Sequence, residues 1–142
     1  MSLTMSAEER QHFLAEVHVG VVAVERPGRA PLAVPIWYGY EPGGEVVLWT
    51  STDSVKGRLI RDAGRFTLTA QTEDWPYRYV SAEGPVVAFD EPASPEVVRE
   101  IAIRYLGPEE GAKFTDENYQ AEGSVVIRMR PERWLSTDYT KL

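Results

Sequence analysis

Of the fifteen basic residues in this sequence only three are lysines. One of them, Lys56, sits with Arg58 and Arg61 in the stretch "WTSTDSVKGRLIRDAG", Trp49 to Gly64. An apolar run there ends in the hydroxyls of Thr50, Ser51, Thr52 and Ser54, and a helix is predicted to begin near Ser54. The first amides of a helix have no acceptor within it, so a helix start is a natural anion site. Lys56 and Arg58 add positive charge at the end where the helix dipole disfavours cations. Local stability therefore did not select them, and an anionic ligand such as a phosphate would. The plainer alternative is an ordinary Ser-capped helix with a solvated basic face.

Two further stretches carry chemistry. In "VPIWYGY", the aromatics Trp37, Tyr38 and Tyr40 follow Pro35, which cannot donate to a strand ladder. Unpaired backbone at Pro35 and Ile36 beside aromatic surface suits the edge of a flat heterocycle; packing of the aromatics in a barrel core explains them equally. In "PYRYVSAEG", Arg78 between Tyr77 and Tyr79 offers a guanidinium among stacking faces, which suits a planar anion. A cross-strand aromatic ladder is the competing account. No general acid stands out, and Tyr38 is the one side chain assigned to protonate product, in competition with water. Glycine-rich nucleotide loops, a Walker A loop, G-x-S-x-G and H-E-x-x-H are all missing. His12 and His18 are six residues apart and read as structural rather than as metal ligands. Asp116 and Glu117 read as surface charge.

The elements that must position these residues are legible in outline. "SAEE" from Ser6 is a capping box for a helix over residues 7–16. "VGVVAVER", "PLAVPIWYGYE" and "EVVLWTS" read as three strands divided by "PGRA" and "PGG". "RFTLTAQT" and "YRYVSAEGPVVAFDE" follow the basic helix as two more strands. Ser94-Pro95 opens a helix "EVVREIAIRYL", with Val97, Val98, Ile101 and Leu106 on one face. Gly107-Pro108 stops it before a second, shorter helix in "EEGAKFTDENYQ", and "GSVVIRMRPERWLSTDY" closes the chain as one strand. Hairpins without regular helical crossovers imply an antiparallel barrel with small helical additions.

At 142 residues the chain is expected to form a single domain over 1–142. Residues 1–5 are expected to be disordered or tag-derived, since nothing in "MSLT" supports structure. With no cysteine, disulfides and thiolate chemistry are excluded. A net charge of −7 and a pI near 4.9 argue against nucleic-acid binding. No apolar run is long enough to span a bilayer. The N-terminus lacks the pattern of a signal peptide, so a cytoplasmic location is expected.

Taken together, these motifs resemble the flavin-binding split-barrel superfamily of pyridoxamine-phosphate oxidase-like proteins. The resemblance runs from "EERQHFLAE" to "RPERWLSTDY". Trp49 and Thr50 match the aromatic-threonine pair ahead of the cofactor-phosphate segment, and Lys56 matches its phosphate lysine. Val55 stands where the oxidases carry a basic residue, and Arg58 is a plausible substitute. "AVPIW" looks like the strand bordering the flavin ring. "RYVSAEG" looks like the strand that reaches a neighbouring subunit's cofactor, with Tyr79 where the oxidases carry a polar residue. "PERW" places Trp134 near the cofactor.

The resemblance implies a mostly β, antiparallel split β-barrel with small helices (α+β), and a homodimer. The chain stops at "LSTDYTKL", without the basic, histidine-containing segment that grips substrate phosphate in the vitamer oxidases. The "RYLG" helix and the Lys56-Gly57-Arg58 pattern look more like the actinobacterial branch that uses the deazaflavin F420. The implied function is an F420-dependent oxidoreductase transferring a hydride to a small organic acceptor, with FMN as the alternative cofactor. A non-catalytic flavin- or haem-binding module, or a cofactor carrier, is the reading from another class. The cofactor residues this implies are Pro35, Ile36, Trp37, Trp49, Thr50, Ser51, Ser54, Lys56, Arg58, Arg61, Arg78, Tyr79 and Trp134. Arg61, with Arg65 beyond the Gly64 turn, is expected to extend the basic track toward the acidic tail of F420.

Overall fold

The structure is a computed structural model that describes residues 2–142. Strand β1 (Gly20–Val24) pairs with β2 (Leu32–Ile36) on one side and β5 (Arg65–Gln71) on the other. The long strand β6 (Arg78–Asp90) follows β5, and β8 (Arg133–Asp138) pairs with its first half. The second half of β6 turns away to pair with β7 (Ser124–Met129), which is followed by β4 (Val46–Ser51) and the short β3 (Tyr38–Gly39). Every pairing is antiparallel, and β6 is shared by two sheets. The result is a split barrel of the kind the sequence implies.

Gly84 marks the place where β6 passes from one sheet to the other. A methyl group there would overlap the carbonyl of Arg130, so only glycine admits the crossing chain. That crossing chain is Arg130–Glu132, and it divides the expected last strand into β7 and β8. The expected second strand is likewise divided. It leaves the edge of the first sheet at Ile36 and re-enters at the edge of the second at Tyr38. Pro35 lies on the free-edge strand β2, opposite Val21, where a missing N–H costs no ladder bond.

The barrel interior is filled by alternate residues of these strands, among them Val22, Leu48, Leu68, Val80, Ile127 and Met129, all fully buried. Each contributes roughly 1.5–3 kcal/mol relative to an exposed side chain. Helix α1 (Ala7–Ala15) closes one end with Phe13 and Leu14, and its capping box is formed as read: Ser6 Oγ accepts from the Glu9 amide, and Glu9 accepts from the Ser6 amide at 2.8 Å. The expectation of disorder before it is corrected for residues 3–5; Met1 lies outside the described residues. Met5 is 5% exposed within the core, its amide donates to Ser136 Oγ at 3.1 Å, and the Leu3 carbonyl accepts from the Asp138 amide. An apolar methionine ahead of the cap gives this segment something to bury.

Helix α2 (Val55–Ala63) links the two sheets, running from the end of β4 to the start of β5. Helices α3 (Pro95–Leu106) and α4 (Pro108–Asn118) are joined at Gly107, whose φ of 88° a non-glycine residue rarely adopts. They cover the outer face of the second sheet through Val97 and Val98 on Val47, Trp49 and Val126. Leu106, expected on that face, is 40% exposed. By contrast, the outer face of the first sheet carries an uncovered row, Pro35, Val21, Thr69, Ser81 and Leu135, aligned by register. No helix of the described residues is long and apolar enough to cross a membrane.

Candidate functional site

The end of β4 and the start of α2 form a compact arrangement of hydroxyls. Ser54 is the N-cap of α2: its Oγ accepts from the Gly57 amide at 3.0 Å and donates to the Ser51 carbonyl at 2.7 Å. Thr50 Oγ1 lies 3.2 Å from Ser54 Oγ, and Ser51 Oγ donates to the Gly123 carbonyl. The Thr52 amide donates to that same carbonyl at 2.7 Å. Thr52 Oγ1 is buried without a partner among the described residues.

Gly57 permits this closeness. A methyl there would lie 2.7 Å from the Ser51 carbonyl and 2.9 Å from Ser54 Oγ. Sequence reasoning named the hydroxyls but missed Gly57 as the cradle and Gly123 as the acceptor that ties the strand end down. A small residue inside the first turn of a basic helix was the available signal for Gly57.

Lys56 is half-buried and Arg58 is exposed. Two residues apart on a helix, they lie roughly 200° apart around its axis and flank the helix start from opposite sides. Helical side chains lean toward the N-terminus, so both long chains can reach back to a group held at the tip. The Ser54 cap satisfies the Gly57 amide and leaves the amides of Val55 and Lys56 with no acceptor inside the helix. No acidic residue lies in the first turn. Two amides without an acceptor in the helix and two cations are a donor set that fits a phosphate.

The aromatic residues stand beside this cluster. Trp37 stacks flat on Tyr105 of α3, with centroids 5.0 Å apart and planes 7° apart, and leans on Phe114 of α4 at 5.4 Å. Trp49 meets the same Phe114 edge-on at 6.2 Å. The two indoles therefore share a floor supplied by α3 and α4, and the open backbone edge of Pro35 and Ile36 adjoins them. A small cleft of about 260 Å³ runs from Trp49, Thr50 and Ser51 to Asn118, Gln120 and Gly123. Tyr105 and Phe114 were missed in the sequence because the helical stripe was sought in aliphatic residues.

Tyr38 is corrected as a proton donor. Its side chain is fully buried and its hydroxyl donates to the Leu14 carbonyl at 2.7 Å, fastening α1 to the barrel. Burial pushes its phenol above the ordinary tyrosine value. The ring points inward because strand alternation assigns the outward position at this edge to Trp37. Arg104, placed 4.9 Å over the Tyr38 ring, donates to the carbonyls of Ala15 and Glu16 at the end of α1.

The remaining candidates are not gathered here by a single chain. Arg78 and Tyr79 begin β6 in the first sheet, whereas its other end, beyond the turn at Gly84, pairs with β7 in the second sheet near Ser124 and the start of α2. Arg78 instead lies 5.0 Å over the Phe13 ring, with Glu16 3.9 Å away. Trp134 packs edge-on to Tyr40 and beneath Arg10, on the strand paired with Arg78–Glu83. Arg61 lies 5.9 Å over Phe89, and Arg65 Nε donates to Glu25 at 2.6 Å, so Arg65 does not extend the basic track. His12 is exposed on α1, while His18 stacks on Phe13 at 4.4 Å; neither is near α2.

The sequence profile described as pyridoxamine 5'-phosphate oxidase matches residues 6–135, nearly the whole chain. The chain belongs to that family. No curated protein matches the sequence. Among solved structures, a conserved hypothetical protein, Rv2991, from Mycobacterium tuberculosis is 26% identical, with a TM-score of 0.77 over 99% of this chain and 89% of that one. An F420 reductase is 22% identical, with a TM-score of 0.70 over 88% of this chain and 94% of its own. HutZ, a haem storage protein from Vibrio cholerae, is 13% identical with a TM-score of 0.70, over 96% of each chain. The last two likenesses are likenesses of fold. This member of the pyridoxamine 5'-phosphate oxidase family thus has a barrel that is compatible with both reductases and binding proteins.

Proposed function

We propose that this protein is a homodimeric reductase that holds the deazaflavin F420 and passes a hydride to a small organic acceptor. The observation that carries the reading is the donor set at the start of α2, placed beside the Trp37–Trp49 surface and the open edge at Pro35 and Ile36. Lys56, Arg58 and the free amides of Val55 and Lys56 hold the cofactor phosphate. The Thr50, Ser51 and Ser54 hydroxyls fix the turn that presents those amides. The backbone of Pro35 to Trp37 borders the ring, and the indole floor keeps water from its flank. The cofactor, when bound, supplies the redox chemistry; the chain supplies binding, orientation and exclusion of water.

The dimer is part of the proposal. Arg78 and Tyr79 begin β6 at the end opposite the one that adjoins the α2 cluster, with Arg78 over Phe13 and near Glu16, and a two-fold partner presents its Arg78 and Tyr79 to that cluster instead. The uncovered row on the first sheet, with Pro35, Val21 and Leu135 exposed, is the face offered to the partner. FMN is the second reading, since the same donor set accepts its phosphate.

The test is a double variant, Lys56→Ala with Arg58→Ala, titrated with F420 and with FMN. Losing two exposed or half-exposed charge contacts, at about 1 kcal/mol each or less, predicts a five- to thirtyfold weaker affinity with an unchanged circular dichroism spectrum. A folded double variant with native affinity contradicts the phosphate site.

A further inference from the structure

At the end of the first sheet away from α2, the tip of the β5–β6 hairpin carries a second aromatic group. Trp75 is 63% exposed and Tyr77 is 46% exposed, unusually open for rings of this size. Trp75 meets Tyr77 edge-on at 5.4 Å and leans on Tyr139 at 5.7 Å. Beside them is a cleft of about 500 Å³ lined by Tyr77, Tyr79, Tyr139, Thr72, Glu73 and Arg78, among others. That volume is within the usual range for small-molecule sites.

The walls are held firmly. The Thr72 amide donates to the Arg78 carbonyl and the Arg78 amide to Thr72 Oγ1, each at 2.9 Å. The Tyr139 amide donates to the Tyr77 carbonyl at 2.9 Å, and Lys141 ties the terminal turn to Glu9 at 2.7 Å. Elsewhere in the chain tyrosine hydroxyls are used internally: those of Tyr38, Tyr105 and Tyr119 each donate to a backbone carbonyl at 2.6–2.7 Å. Those of Tyr77, Tyr79 and Tyr139 make no such bond among the described residues. Glu73 and Arg78 bring one charge of each sign, so the lining calls for no net charge on a ligand.

We propose that this cleft is a slot for an uncharged, flat aromatic ring with oxygen on its rim, and that the ring belongs to the acceptor. Tyr77, Tyr79 and Tyr139 supply faces and edges for stacking within the cleft, Trp75 braces Tyr77 and Tyr139 from beside it, and the free hydroxyls supply rim hydrogen bonds. The assignment of the ring to the acceptor rests on the reading under Proposed function: the hairpin that carries Arg78 to the partner's cofactor carries the slot with it. The aromatic residues then determine acceptor choice without touching the phosphate site.

The test is a nuclear magnetic resonance titration of the full chain, without cofactor, using 2-naphthol and its saturated analogue decahydro-2-naphthol. Naphthol should perturb the amides of Thr72, Arg78 and Tyr139 and bind at least fivefold more tightly than the analogue. Trp75→Leu and the less exposed Tyr77→Leu should each weaken naphthol three- to tenfold. Equal affinity for both probes, or native affinity in both leucine variants, overturns the slot. So does a Trp75→Leu variant that loses self-association but keeps naphthol affinity, which would make the cluster a subunit contact. Naphthol binding in a protein that binds neither F420 nor FMN would sink the cofactor reading and leave the slot standing; cofactor binding without naphthol binding does the reverse.

Discussion

Tyr38 illustrates how a residue type can promise chemistry and deliver structure. A tyrosine between two candidate ring-lining positions looks like a proton donor, yet its ring fills the barrel end and its hydroxyl is committed to the Leu14 carbonyl at 2.7 Å. With its phenol pushed above the ordinary value by burial, it remains neutral throughout the pH range in which a protein of this kind works. Tyr38→Phe is therefore expected to lower stability by about 1 kcal/mol, because one buried carbonyl loses its better donor. The Arg104 guanidinium, 3.4 Å from the same carbonyl, limits the loss. Urea denaturation measures this, and turnover per folded molecule should be unchanged. A large fall in turnover with native stability would return Tyr38 to the chemistry.

The candidate site at the next scale is the strand-turn-helix from β4 to α2. The Ser54 cap, the Thr50 and Ser51 hydroxyls and the close approach at Gly57 act together, since each fixes part of the same first turn. Gly57→Ala should destabilise the chain by about 1–3 kcal/mol despite alanine's better helix propensity, because the new methyl meets a carbonyl that cannot move cheaply. It should also weaken cofactor binding, as Ser54 shifts to make room. Denaturation midpoints and a cofactor titration of the same sample check both effects; a more stable protein with native affinity would refute the cradle. This element was legible because its signals are local: an N-cap, a glycine stop and a charge pattern at odds with the dipole. Trp37 and Trp49 were named as candidates on local signals of the same kind, a strand proline and a strand end. Their partners Tyr105 and Phe114 were not, because nothing local says which helix will fold onto a given strand. The divided strands were missed for a similar reason: Ile36–Tyr38 and Arg130–Glu132 change sheets, and only the closed barrel requires that.

At the scale of the molecule, one chain leaves two things unfinished: an uncovered row on the first sheet with Pro35, Val21 and Leu135 exposed, and Arg78 and Tyr79 at the end of β6 opposite the α2 cluster. The proposed two-fold partner would resolve both. Leu135, 64% exposed in the row, is the place to test it. The wild type should sediment as a dimer at micromolar concentration, and Leu135→Asp as a folded monomer with weakened cofactor binding, since a charge desolvated at an interface costs several kcal/mol. A monomeric wild type that still holds cofactor contradicts the shared site. The ligand at α2 can be identified by a calorimetric titration of the wild type with F420 and FMN side by side at two salt concentrations. Lys56, Arg58 and Arg61 favour the ligand with the longer anionic tail, and their exposed charges are screened over about 8–10 Å at ordinary ionic strength. F420 should bind more tightly than FMN at low salt, and the gap should narrow as salt rises. Tighter binding of FMN, or an F420 affinity indifferent to salt, would contradict the deazaflavin reading.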